Sequence, residues 1–368
     1  MKKLVLIVLM IVLMPSIPVF ALDNNEEMIS EQLSVSGIDE LLGILPENSK
    51  EYFSDGFDSK SVDKITFTNF FGYIFKKAKE RILKPISLFL TIIGILIISS
   101  VVSSLKMGKE PVFSSVISLS ISTVLASSVI ECITNASQNI KEMSYFIMTF
   151  IPVFSGVLAS SGKVLSSVIY QTTVFSMVQL FSQAFVNFIV PILGIFLAVS
   201  IVGSSLGVFK VDGLTKALKT TATWTLTFCM TVFVGILTIK GVVSTSADTV
   251  TVKATKFVIS SFVPIVGGAL SEAYNSLYGC MGVVKSTVGV FGIIAIVISY
   301  LPMIIEIFLM MSAVFLSSTV GEIFERKNEV SVLKSVSTVL SVMLGIVLCF
   351  GLMIIVSITV MLTLGSGV

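Results

Sequence analysis

Apolar residues fill this chain in blocks of about twenty, separated by short polar turns, from Pro85 almost to the end. A helix of about twenty apolar residues spans the roughly 30 Å of bilayer hydrocarbon. The pattern predicts membrane segments at 85–105, 112–131, 145–161, 164–184, 186–208, 220–243, 257–278, 284–301, 303–320 and 336–364. Two of these, 145–161 and 257–278, are expected to be broken. The stretch Lys256–Ala273 reads KFVISSFVPIVGGALSEA: Pro264, Gly267 and Gly268 interrupt it and Glu272 closes it. Proline removes a backbone donor and glycine weakens the helix. A break is tolerated in lipid only where protein or a water-filled cavity surrounds it, so this segment is expected to be an inner, broken element.

The same features occur earlier. Phe150-Ile151-Pro152-Val153 and Gly156-Val157-Leu158 match Phe262-Val263-Pro264-Ile265 and Gly268-Ala269-Leu270 at an offset of 112 residues. Ile195-Phe196-Leu197 meets Ile307-Phe308-Leu309 at that offset, and Leu218-Lys219 resembles Leu333-Lys334 at 115. Apolar sequences also align by chance. A shared break, apolar run and basic loop in one order favour a tandem duplication, 145–243 and 257–364, after two helices in 85–131. Alternating the segments puts ten loop lysines and arginines on one side and Lys141, Lys240, Lys253 and Lys256 on the other. By the positive-inside rule the ten are cytoplasmic, and the two repeats are parallel.

Upstream the pattern changes. Met1-Lys2-Lys3, the apolar run Leu4–Met14 and the stretch to Ala21 form a signal peptide, residues 1–21, with cleavage after Ala21. An uncleaved anchor is the alternative, and either way the next residues begin outside the cytoplasm. Residues 22–64 are acidic and too few to bury a sound core, so they are expected to dock on something else. In 67–84 the period is helical. Phe67, Phe70, Phe71, Ile74, Phe75, Ala78 and Ile82 share a face, while Lys76, Lys77, Lys79, Arg81 and Lys84 lie largely off it. Two readings stand: a helix lying in the membrane surface, which ends an extracytoplasmic segment 22–84, or one packed on the protein itself.

Composition removes whole classes of function. The chain is 54% hydrophobic and 12% charged, with mean hydropathy +1.02, against about a quarter charged in soluble domains. It contains no histidine, the commonest general base and metal ligand. Cys132, Cys229, Cys280 and Cys349 are isolated and read as buried hydrophobes. No P-loop is present, and Asp212 and Asp248 read as loop residues rather than an intramembrane pair. The chain is expected to be no enzyme, with no catalytic residue, cofactor or metal.

Intramembrane carboxylates are functional candidates by default, and the apolar part holds Glu131, Glu272 and Glu306. Glu306 sits mid-run in YLPMIIEIFLMM. It is either a buried group, protonated or paired with a lysine such as Lys285, or part of a pathway. Gln171, Gln179, Gln183 and Asn187 form a helical stripe that suits interhelical hydrogen bonds better than a water-lined path. The candidate pathway residues are Pro152, Gly156, Pro264, Gly267, Gly268, Glu272 and Glu306.

A signal peptide, an acidic outer segment, a basic amphipathic helix, then many spans around KFVISSFVPIVGGALSEA and KSTVGVFGI (Lys285–Ile293) follow in order. This order resembles the stage III sporulation protein AE family of endospore-forming bacteria, most specifically over Lys253–Ile293. The resemblance implies a multi-pass component of the channel apparatus joining mother cell and forespore, in the mother-cell membrane around the forespore and needed for late forespore development. It implies as partners the other proteins of the same operon, among them a cytosolic ATPase and ring-forming proteins, and a forespore channel protein, with no nucleic acid. The expected fold is all-α and polytopic, with eight to ten spanning or re-entrant helices in a parallel duplication. The alternative is a stand-alone secondary transporter with a site between the two repeats.

Overall fold

A computed structural model describes residues 38–43, 67–104, 110–206, 212–262 and 267–364, with Leu45 and Lys50 besides. The signal peptide and most of the acidic segment lie outside the described residues. Among the described residues every regular element is helical. They are α1 (Ile38–Gly43), α2 (Phe67–Arg81), α3 (Leu83–Ser104), α4 (Glu110–Ser160), α5 (Val164–Ala184), a π-helical turn (Phe185–Ile189), α6 (Val190–Leu206), α7 (Asp212–Phe262), α8 (Gly267–Ile323) and α9 (Lys327–Leu364).

Prolines and left-handed residues set several boundaries. Pro85 has no N–H for the carbonyl of Arg81, so α2 stops there, and the proline falls in the first turn of α3, where no donor is needed. Pro191 cannot bond to the carbonyl of Asn187. The chain widens into the π turn just before it, where Val190 donates to the Phe185 carbonyl, and the α5–α6 rod continues. Two three-residue turns close the hairpins α4–α5 and α8–α9 in the same way. Gly162 (φ 72°) and Glu325 (φ 55°) are left-handed. Around them Gly162 N–H bonds Ala159 O and Lys163 N–H bonds Leu158 O, as Glu325 N–H bonds Glu322 O and Arg326 N–H bonds Gly321 O. Each pair is a Schellman motif that satisfies the last carbonyls of its helix.

The helices pack into one bundle with α8 and α9 at its centre. In both, 61% of an apolar 18-residue window is buried, against 17% in α7 at the edge. Phe146, Phe150 and Phe154 of α4 stack in a row, closed by Tyr170 of α5 edge-on. Gly292 of α8 lets that row approach: a Cβ there would run into the Phe150 ring. On the far side, Phe185 meets Phe350 of α9 edge-on. Leu41 of α1 and Leu45 are also buried in this core.

Among the described residues the ten predicted segments resolve into six long helical rods. Long and apolar enough to cross a membrane are stretches 83–102, 115–160, 164–203, 213–254, 281–323 and 327–362. Segments 112–131 and 145–161 share α4, 164–184 and 186–208 share the α5–α6 rod, and 284–301 and 303–320 share α8. Pro152 and Pro302 lie inside uninterrupted helices. The break expected at Pro152 is therefore absent. At the second site α7 ends at Phe262 and α8 begins at Gly267, with Pro264 outside the described residues. Nor is the 112-residue duplication reproduced, because the turn at 161–163 would fall on 273–275, inside continuous α8.

The rods are longer than one bilayer needs. The 51 residues of α4 measure roughly 75 Å at 1.5 Å per residue, against about 30 Å of hydrocarbon. By contrast α3, with 22 residues, matches one bilayer thickness. One end of the bundle gathers the turn at 161–163, Asp248, Lys285 and Leu362. The other gathers Ser99, Glu329 and the turn at 324–326.

Candidate functional site

Near mid-height the bundle carries a belt of polar side chains. Arg81, the last residue of α2, pairs with Glu306 of α8. Asn135 of α4 donates from Nδ2 to the other oxygen of Glu306, at 3.3 Å. One turn earlier on α4, Glu131 pairs with Lys84 of α3, and both side chains are exposed. An outward-facing ion pair is costly in hydrocarbon, so on this face the belt marks a polar boundary.

Beside the pair lies a cavity of about 250 Å³ lined by Arg81, Asn135, Gln138, Asn139, Glu142 and Met303. Gln138 Nε2 donates to Glu142 Oε1 at 3.0 Å. Asn139 is buried and donates from Nδ2 to the Ser299 carbonyl at 3.4 Å, while its Oδ1 accepts no hydrogen bond.

Among the candidate pathway residues that the structure describes, only Glu306 belongs to this site, and the intramembrane carboxylate Glu131 lies in the same belt. The partner of Glu306 is Arg81 from the amphipathic helix, not Lys285, which lies 21 positions away on α8 and donates to the Leu362 carbonyl at 3.1 Å. Pro152 and Gly156 are exposed on α4, and a Cβ at Gly156 would meet open space. Gly267, Gly268 and Glu272 fall in the first two turns of α8, away from Glu306. Of the polar stripe, Gln171 accepts from Ser155 Oγ of α4 at 3.4 Å, an interhelical bond of the kind expected. The π turn disrupts the helical period before Asn187.

Asn135, Gln138, Asn139 and Glu142 were missed because 132–144 reads as a loop between two spans. With Glu131 they recur at steps of three and four residues, the spacing of one helix face. Asp248 also departs from the sequence reading. It lies within α7, is buried, and accepts from the N–H groups of Leu165 and Ser166 at 2.9 and 2.8 Å.

Comparison with known proteins adds what geometry alone does not. The family described as stage III sporulation protein AE matches residues 48–365, which include all six crossing rods and the polar belt. The chain belongs to that family. A relative named stage III sporulation protein AE, from Bacillus subtilis (strain 168), is 27% identical over 173 residues. That match spans 47% of this chain and 43% of the relative. No solved structure matches. Family membership gives the chain a role in sporulation, and the six apolar rods make this family member a multi-pass membrane protein.

Proposed function

We propose that the protein is an integral membrane component of the channel apparatus that links mother cell and forespore and is needed for late forespore development. The observation that carries this reading is the family match over residues 48–365, which takes in every crossing rod. In this reading the protein sits in the mother-cell membrane around the forespore. Residues 1–21 are its signal peptide, and the segment 22–84 faces the space between the membranes. Its partners are the other proteins of the operon, including a cytosolic ATPase and ring-forming proteins, and a forespore channel protein. The fold supports this. If the hydrocarbon lies along α3, about 40 Å of α4 extends beyond the polar belt, available to an assembly outside the bilayer. Deleting residues 22–64 is expected to abolish copurification of these partners and production of heat-resistant spores while membrane insertion persists. Normal copurification and sporulation would overturn the proposal.

The cavity beside Glu306 favours a second reading, a secondary transporter. There the purified protein moves a solute in liposomes and Glu306→Gln uncouples it from an ion gradient. Absence of transport by intact protein would remove that reading.

A further inference from the structure

The mid-height cavity holds a buried acceptor without a partner. Each of its three amide side chains commits one N–H to the protein: Asn135 to Glu306, Gln138 to Glu142, and Asn139 to the Ser299 carbonyl. These bonds set the amide orientations, and each leaves one N–H and a carbonyl oxygen. For Asn139, only 6% exposed, that oxygen is buried and without any partner. A buried acceptor left unpaired costs free energy that a donor would recover.

Charge points the same way. The guanidinium of Arg81 is taken up by Glu306. Glu142 holds its amide neighbour Gln138 but forms no ion pair among the described residues. Arg81, Glu306 and Glu142 together leave one uncompensated negative charge.

We propose that this cavity binds a primary ammonium group, with Glu142 supplying the countercharge and the Asn139 amide oxygen accepting one N–H. A primary ammonium carries three donors and no acceptor, which suits the unpaired Asn139 oxygen and the Glu142 carboxylate. A quaternary ammonium has no N–H to give, and the lining contains no aromatic ring to hold it through its face. No group of three or more His, Cys, Asp or Glu side chains that could hold a metal ion occurs among the described residues. The volume, about 250 Å³, exceeds that of several waters and admits an ethanolamine-sized group. Such a group comes either from an aminophospholipid, whose headgroup would lie at the level of α2, or from a free amine. The inference goes beyond the sporulation-channel reading and stands whether or not the chain joins that assembly.

The test uses the full-length protein in nanodiscs made only of phosphatidylglycerol, titrated calorimetrically with ethanolammonium chloride. Saturable binding is expected, with no competition from choline. The near-isosteric Glu142→Gln should weaken binding at least about tenfold, the effect of losing a charge-assisted hydrogen bond. An unchanged melting temperature will show that the variant is folded. Nanodiscs containing phosphatidylethanolamine separate the sources. Loss of the calorimetric response there assigns the site to the lipid, and an unchanged response assigns it to a soluble amine. Native mass spectrometry covers the case in which an aminophospholipid is retained through purification. Equal binding of choline, an affinity in Glu142→Gln within twofold of wild type, or neither titratable binding nor retained aminophospholipid would overturn the proposal.

Discussion

Helix α5 begins without a cap of its own. Its N-cap residue is Lys163, whose side chain makes no capping hydrogen bond and cannot accept one. The acceptor comes from another helix: Asp248 of α7 takes the N–H groups of Leu165 and Ser166 at 2.9 and 2.8 Å, with only 4% of its surface exposed. Each bond to a carboxylate contributes about 1.5–3 kcal/mol net, and a negative charge at a helix start adds a favourable dipole interaction. The two bonds share one carboxylate and Leu165 is exposed, so the contributions are not additive. Asp248→Ala is therefore expected to cost about 3 kcal/mol. Asp248→Asn keeps one acceptor oxygen but turns an NH2 towards a donor, for about 1.5–2 kcal/mol. For a chain of this size the alanine variant should melt about 5 °C lower. Thermal unfolding in nanodiscs, followed by circular dichroism, measures it. An alanine variant melting within a degree of wild type would refute tertiary capping as a source of stability here. So would an asparagine variant less stable than the alanine one.

Three further perturbations test other parts of the fold. Glu325 is exposed and left-handed, so Glu325→Gly should raise stability by about 0.5–1 kcal/mol, visible as a higher melting temperature; a fall would count against strain at this turn. Gly292→Ala drives a methyl into Phe150 and should cost about 1–3 kcal/mol. Combining it with Phe150→Leu should recover part of the loss in the same melt, whereas simple additivity would argue against that contact. Glu306→Gln leaves Arg81 without its carboxylate and should destabilise by about 2–3 kcal/mol, with faster proteolysis around α2. If Arg81→Gln in the same chain restores nothing, the pair is not what holds α2 to the bundle.

Much of this protein is legible in one dimension, because the bilayer imposes a one-dimensional rule. A run of about twenty apolar residues and a charged content of 12% suffice to establish helices in lipid. The amphipathic period of Phe67–Arg81 likewise names that helix before any neighbour is known. Where the rule gave way, packing decided. Pro152 reads as a break, yet the helix continues through it, since the loss of one backbone donor does not outweigh burial along a long rod. Asn135, Gln138, Asn139 and Glu142 read as a loop because their polarity is visible in sequence and the face they share is not. Nor does any local signal pair Arg81 with Glu306, 225 positions apart, or bring Asp248 to the start of α5. Sequence by itself determined that the chain is built of helices apolar enough to cross a membrane, a question of transfer free energy summed residue by residue. Tertiary structure alone decided how they join and which charges meet, because an ion pair or a cap depends on the position of a partner that the local chain does not contain.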